Sequence, residues 1–336
     1  MSAPAKDGPK LAGMVRAGEQ QKEAIRIAEG VWRVHDLSSA YLVNTSDGDV
    51  MINTGFMDNV ARNKALFDPV RTGPLRAIIL TQSHPDHFGG VPAFKEAETK
   101  VYAERRFVQN WADYRALMPF YGRRSRRLWA STIKRDAAPP PPPDVVPDVA
   151  VAERTAIEIG GRRFELIPMG AGETTDTLAV FMPKEKIAFV GNIFGPVFLS
   201  MPFLVTLRGE KPRLVQNWLP AVEAVRALGA EVLLSGHSEP VVGAARIAAD
   251  LTTLHDAVAF IRDETIAGMN AGKDVGTLMR EIVLPERLRI GEYHGKVSWG
   301  VRSIWEEFAG WFYFDRTTAL YPVARASVDA DLAELA

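Results

Sequence analysis

Between Ile25 and Met182, apolar residues come in short runs of strand length cut by turn residues. IRIAEGVWRV (25–34), SSAYLVNT (38–45) and DVMINTG (49–55) read as strands, the last two joined by the Ser46-Asp47-Gly48-Asp49 turn. Met57, Val60, Ala61 and Ala65 recur at helical spacing over 57–67, and Pro69 stops that helix. LRAIIL (75–80) is a continuous apolar run, the pattern of a strand buried on both faces. It runs into TQSHPDHFGG, then a short helix at VPAFKEA and a strand at TKVYAE. This alternation predicts an α/β layered fold.

Residues 104–134 read as helical and contain Arg123-Arg124-Ser125-Arg126-Arg127. That cluster reads as a solvated helix face, a dimer contact or a substrate-steering patch. Pro139–Pro143 forces an extended polyproline segment. Strand texture resumes at RTAIEIGGRRFELIPM, LAVFMP and KIAFVGN, so the run is read as an external connection within one domain. After AEVLLSGH (230–237) the strands are expected to stop, and 243–312 is mostly helical in pattern. The expected organisation is an arm over 1–24, an α/β domain over 25–244 and a helical domain over 245–336.

Composition narrows the function classes. The 336 residues carry 40 Lys and Arg against 41 Asp and Glu, a net charge of −1, which argues against general nucleic-acid or polybasic membrane binding. Hydrophobic and charged fractions of 47% and 24% are those of a globular protein. Zero Cys removes disulfides, thiolate zinc sites and thiol nucleophiles. The polar N-terminus and the lack of any long apolar run predict a cytoplasmic protein without a membrane span.

Two of the six His lie in one motif directly after the buried strand. Loops at the carboxyl ends of such strands carry the chemistry of α/β folds. Alternate side chains of an extended stretch share a face, so Gln82 and His84 can address one point and Asp86 and His87 a neighbouring one. Imidazole and carboxylate are the ligands zinc takes when thiolate is absent. The bland alternative is a surface loop with two satisfied histidines.

With Glu173 in GAGETTDTLAVFMP, Asn192 in AFVGN and His237 in LLSGHSEP, the H-x-D-H-x-G-G loop resembles the metallo-β-lactamase superfamily. The resemblance runs from about residue 25 to 325 and implies an αββα sandwich with metals at one edge. Within it the alkylsulfatase branch is the closer match. That branch has Glu at the position of Glu173, a T-L-R-G segment matched by Thr206-Leu207-Arg208-Gly209, and a helical dimerisation region matched by MREIVLPERL and EYHGKVSWGVRSIWEEFAGWF (292–312). It implies that 245–336 forms a homodimer. The lipid-carrier-like domain of the full-length relatives is expected to be absent. The departures are Gln82 for the first His, Asn192 for the bridging carboxylate, and Trp299-Gly300 and Ser238 where the branch has His-Asn and His. FGPVFLSMPFLV (194–205) replaces a His-rich stretch.

The resemblance assigns Asp86, His87 and His237 to one strong metal site. Gln82, His84, Glu173 and Asn192 then make a second site that is weak or partly filled, because amide oxygens are poorer ligands. Zn²⁺ is the expected ion and Fe²⁺ the alternative. Arg208 is the expected anion clamp. Tyr293, with His294 beside it, is read as a donor to the reacting group or a packed ring, and His35 and His255 as structural. Phe194, Phe198, Met201, Phe203 and Trp299 read as an apolar pocket wall or as core. The leading function is hydrolysis, by a metal-bound hydroxide, of an ester with a hydrophobic group, sulfate ester first and carboxylic ester, lactone or β-lactam next. A mononuclear iron oxygenase and a non-catalytic ligand-binding dimer are the readings from other classes.

Overall fold

The computed structural model describes residues 13–14, 16–130, 141–324 and 326–335; residues 1–12 and 15 of the expected arm, and Pro139 and Pro140, lie outside the described residues. One sheet takes seven strands in chain order: β1 Ile25–Ala28, β2 Val31–Val34, β3 Ala40–Thr45, β4 Gly48–Ile52, β5 Leu75–Ile79, β6 Lys100–Glu104 and β7 Val149–Val151. The other takes β8 Thr155–Ile159, β9 Arg162–Pro168, β10 Leu178–Met182, β11 Ile187–Gly191, β12 Val232–Ser235 and β13 Val241–Val242, in the spatial order β13-β12-β11-β10-β9-β8. Pairing from β4 to β7 is parallel, as is β11 with β12; the other neighbours are antiparallel.

Strand alternation decides the layering. Tyr41, Val43, Val50, Ile52, Ala77 and Ile79 point from the first sheet into a core shared with Phe164, Leu166, Leu178, Val180, Met182 and Phe189 of the second. Their alternating neighbours Leu42, Met51, Ile78 and Leu80 face outward, where Phe67, Phe88, Phe107 and Trp111 cover them. Ala179, Phe181, Ala188 and Val190 face outward from the second sheet onto Trp218, Val222, Leu251, Leu254 and Val258. The result is helix–sheet–sheet–helix, the expected αββα sandwich. The helices over it are Val215–Ala227, the long Ala244–Asn270 and Val297–Ala309.

Three local expectations change. Residues 25–34 form a hairpin rather than one strand, because Gly30 takes φ +65° and turns the chain. Of the stretch 104–134, residues 131–134 lie outside the described residues, and the rest carries two helices, Phe107–Ala116 and Met118–Leu128, since Pro119 lacks the N–H to continue a helix and starts the second instead. A last short strand, β13, follows His237, where strands were expected to have ended. Within 194–205, Phe194, Met201 and Leu204 are buried in the core under the C-terminal helices, and Val197 is buried as well. Phe198, Leu199, Phe203 and Val205 stay half-buried, so much of that run is core and not pocket wall.

Candidate metal centre

The parallel pairs β4–β5 and β11–β12 run to one edge of the sandwich, and the loops leaving their carboxyl ends meet there. These loops supply Asn53, then Thr81 to Gly90, then Asn192, then Gly236 and His237. The β9–β10 connection adds Glu173. Asp86, His87 and His237 converge so that one ligand atom from each lies within 4.8 Å of the others. Asp86 Oδ2 stands 3.7 Å from His87 Nε2 and 3.6 Å from His237 Nε2.

Surrounding groups orient the two rings. His237 Nδ1 donates to the Leu37 carbonyl, which leaves Nε2 without a proton and able to accept, and Asn192 Nδ2 stands 3.0 Å from it. His87 Nδ1 sits among Ser38 Oγ at 3.1 Å, Asn53 Nδ2 at 3.0 Å and Thr81 Oγ1 at 3.2 Å. Burial pushes the His87 imidazole down to about 3 against the pull of Asp86, so the ring is neutral. Burial opposes the Asp86 charge, yet the neighbouring histidines hold its carboxyl below the usual range. Gly236 must be glycine: a Cβ there would stand 2.3 Å from Asn192 Oδ1 and 2.9 Å from His87 Cε1. Two imidazoles and one carboxylate fit a divalent ion such as zinc or iron(II).

The second set is also brought together, but most of its polar atoms are spent on one another, and only Asn192 Oδ1 among the oxygens of its amides is buried without a partner. Gln82 Nε2 lies 2.9 Å from His84 Nδ1, and Gln82 Oε1 accepts from the Asn192 N–H at 3.1 Å. Asn192 Nδ2 donates to Glu173 Oε2 at 3.0 Å and lies 3.0 Å from His237 Nε2. A bridging carboxylate offers lone pairs at that point, whereas this amide offers hydrogens. Glu173 Oε1 accepts from Arg213 Nη1 at 2.9 Å. Arg213, with His294 and His84 adding, outweighs burial and holds the Glu173 carboxyl far below the usual range. These residues do not fit a second ion in this arrangement.

Arg208, expected as the anion clamp, is part-buried, and its Nη2 donates to Glu210 Oε1. Glu210 also accepts from Arg213 Nη2 at 3.2 Å and approaches His84 Nε2 at 3.3 Å. Burial would lower the His84 value, but Glu210 raises it above 6.5. His294 Nδ1 lies 3.8 Å from Glu173 Oε1, its ring edge-on to Phe203, and burial pushes it down to about 4. The Tyr293 N–H donates to Ser200 Oγ and its ring packs over Gly291. Beside His84 a cleft of about 430 Å³ opens, lined by Tyr114, Tyr121, Glu173, Glu210 and Lys211.

Ser38, Asn53, Glu210 and Arg213 escape the sequence reading. His35 and His255 stand outside this network, 3.7 Å from Glu239 and 3.0 Å from Asp256.

A helix-covered double sheet with a histidine–carboxylate cluster on its edge loops defines the class of αββα metal-centre proteins. The chain belongs to the metallo-β-lactamase superfamily: the family model of that description matches residues 34–237, more than half of the chain. It is similar to a linear primary-alkylsulfatase of a Pseudomonas species, 27% identical over 82% of this chain and 56% of that one. It is similar also to the alkyl/aryl-sulfatase BDS1 of Saccharomyces cerevisiae, 25% identical over 85% and 49%. The chain thus spans about half the length of these curated relatives. The solved sec-alkylsulfatase Pisa1 of a Pseudomonas species superposes with a TM-score of 0.81 at 21% identity, over 92% of this chain and 54% of that one, a likeness of fold.

Proposed function

We propose that the chain is a metal-dependent hydrolase of an ester carrying a hydrophobic group, working on one ion held by Asp86, His87 and His237. The observation that carries this reading is the convergence of those three side chains, with the His87 ring neutral and both imidazoles oriented by their neighbours. An ion there supplies an activated water, whose pKa falls towards ~7, and a Lewis acid for the ester oxygen. The protein's part is to hold Nε2 of His237 unprotonated, keep Asp86 ionised, and receive the ester's apolar group against Tyr114 and Tyr121 in the cleft. The relatives named alkylsulfatases make alkyl sulfates the first substrates to try. A second reading, an uncharged carboxylic ester or lactone, is favoured by the Glu210 carboxylate lying across Arg208 and Arg213.

The test is a turnover screen of alkyl sulfate, carboxylic ester, lactone and β-lactam substrates on metal-analysed protein, with His87→Ala beside it. Turnover of at least one class, lost on His87→Ala, supports the reading. Full activity in His87→Ala would sink the metal mechanism. Oxygen-dependent turnover with bound iron would point to an oxygenase, and ligand binding without turnover to a binding protein.

A further inference from the structure

Arg208 and Arg213 stand side by side next to the candidate metal centre, and two guanidinium forks in a shielded cleft are built to take an oxyanion. Here an oxyanion is already present, supplied by the chain itself. Glu210 Oε1 accepts from Arg208 Nη2 and Oε2 from Arg213 Nη2 at 3.2 Å, while Oε1 lies 3.3 Å from His84 Nε2. Its side chain is only 13% exposed. The backbone is shaped for this: Gly209 takes φ +112° and presses on the Tyr121 ring, where a Cβ would stand 2.6 Å away. Glu210 itself sits at φ +95°, a left-handed conformation that a non-glycine residue adopts at a cost of order 1–3 kcal/mol. An expensive turn therefore carries a carboxylate into the clamp.

We propose that Glu210 is a built-in anion that fills the Arg208–Arg213 clamp, so that the site accepts an uncharged ester and discriminates against sulfate and carboxylate anions. Two guanidiniums face two carboxylates, Glu173 and Glu210, and the net charge is spent before Asp86 adds a further negative one. An entering anion has to displace Glu210 or be buried beside these carboxylates, and an unpaired buried charge is costly. An uncharged ester brings no such charge. Donors for its oxygens remain, because Arg208 Nε and Arg213 Nε are buried without an acceptor. That the uncharged ester is hydrolysed rests on the reading of the site as a hydrolase; the ligand preference does not.

The experiment is calorimetric binding of inorganic sulfate and of 1-octanesulfonate, an unreactive analogue of an alkyl sulfate, to the purified protein with the metal it carries. The wild type is expected to bind both only at millimolar concentration or weaker. Glu210→Gln, which keeps the shape and removes the charge, is expected to bind octanesulfonate at least tenfold more tightly. The gain should vanish in the Glu210→Gln, Arg208→Gln double variant, which separates the clamp from anion binding at the metal. A folded Glu210→Gln with unchanged or weaker anion affinity, or a gain that survives Arg208→Gln, would overturn the proposal. If Glu210→Gln does not fold, the wild type decides: micromolar octanesulfonate binding displaced by sulfate refutes the proposal, and millimolar binding supports it. Binding is read without turnover, so a protein that hydrolyses none of the screened esters still answers the question.

Discussion

Asn53 holds Thr81 and His87 at once: its Oδ1 accepts from the Thr81 N–H at 2.9 Å, and its Nδ2 lies 3.0 Å from His87 Nδ1. It does so from φ +56°, a conformation asparagine tolerates better than most residues. Asn53→Ala should weaken metal binding about 10–100-fold, as loss of a ligand's supporting partner does. It should also cost roughly 1–3 kcal/mol for the unsatisfied Thr81 N–H. Competitive metal titration and urea unfolding check the two effects; wild-type metal affinity would remove Asn53 from the centre.

Gly236 passes between Asn192 and His87 with no room for a side chain. Gly236→Ala should therefore displace Asn192 Oδ1 or the His87 ring and lower metal content. Its overpacking should cost about 1–3 kcal/mol. Metal analysis after dialysis reads the outcome, and full occupancy would show that the loop gives way without disturbing the ligands.

One tightly held ion per chain is expected, at Asp86, His87 and His237. Two retained ions after dialysis would contradict the pairing of Glu173 with Arg213 and Asn192 described above. Gln82→His combined with Asn192→Asp should raise the metal content, because both substitutions replace an amide by a stronger ligand.

The metal-free protein should be most stable near neutral pH. His87 and His294 fall to about 3 and about 4 in the folded chain because they are buried, against 6.5 in the unfolded one. Below pH 6.5 the unfolded chain takes up these protons first, so stability falls as pH falls, by up to about 1.4 kcal/mol per pH unit for each ring. His84 has the opposite sign. Burial works against its charge, but Glu210 raises its value, so its contribution is complete below 6.5 and is lost as pH rises through the folded value. Urea unfolding of chelator-treated protein across pH 5 to 9 measures this, and stability that climbs from pH 6.5 down to 5 would be the wrong sign.

A homodimer is expected through the C-terminal helical region. After the helix Val297–Ala309, Trp311 is 65% exposed and Phe314 89%, more apolar surface than a helical layer leaves in water without a partner. Light scattering at micromolar concentration tests it, and a monomer there would defeat the expectation. No helix among the described residues is long and apolar enough to cross a membrane.

Some of the fold and part of the site were written locally. The strand-length apolar runs of β3, β4 and β5 need no tertiary knowledge, and they placed three neighbouring strands of the first sheet. Asp86 and His87 were legible because adjacent ligands sit in one loop after a buried strand, and His237 because Gly-His follows another. Their meeting within 4.8 Å, by contrast, depends on two parallel strand pairs from different sheets ending at one edge. Composition could not tell which apolar residues of 194–205 are covered, since hydrophobicity says that a side chain leaves water but not which surface receives it. The same holds for charge. Arg208 read as a free clamp, and only the folded chain shows that Glu210, turned inward by two successive positive-φ residues, already answers it. Ion pairing between groups on a tight turn is decided by backbone direction, which the residue types alone do not specify.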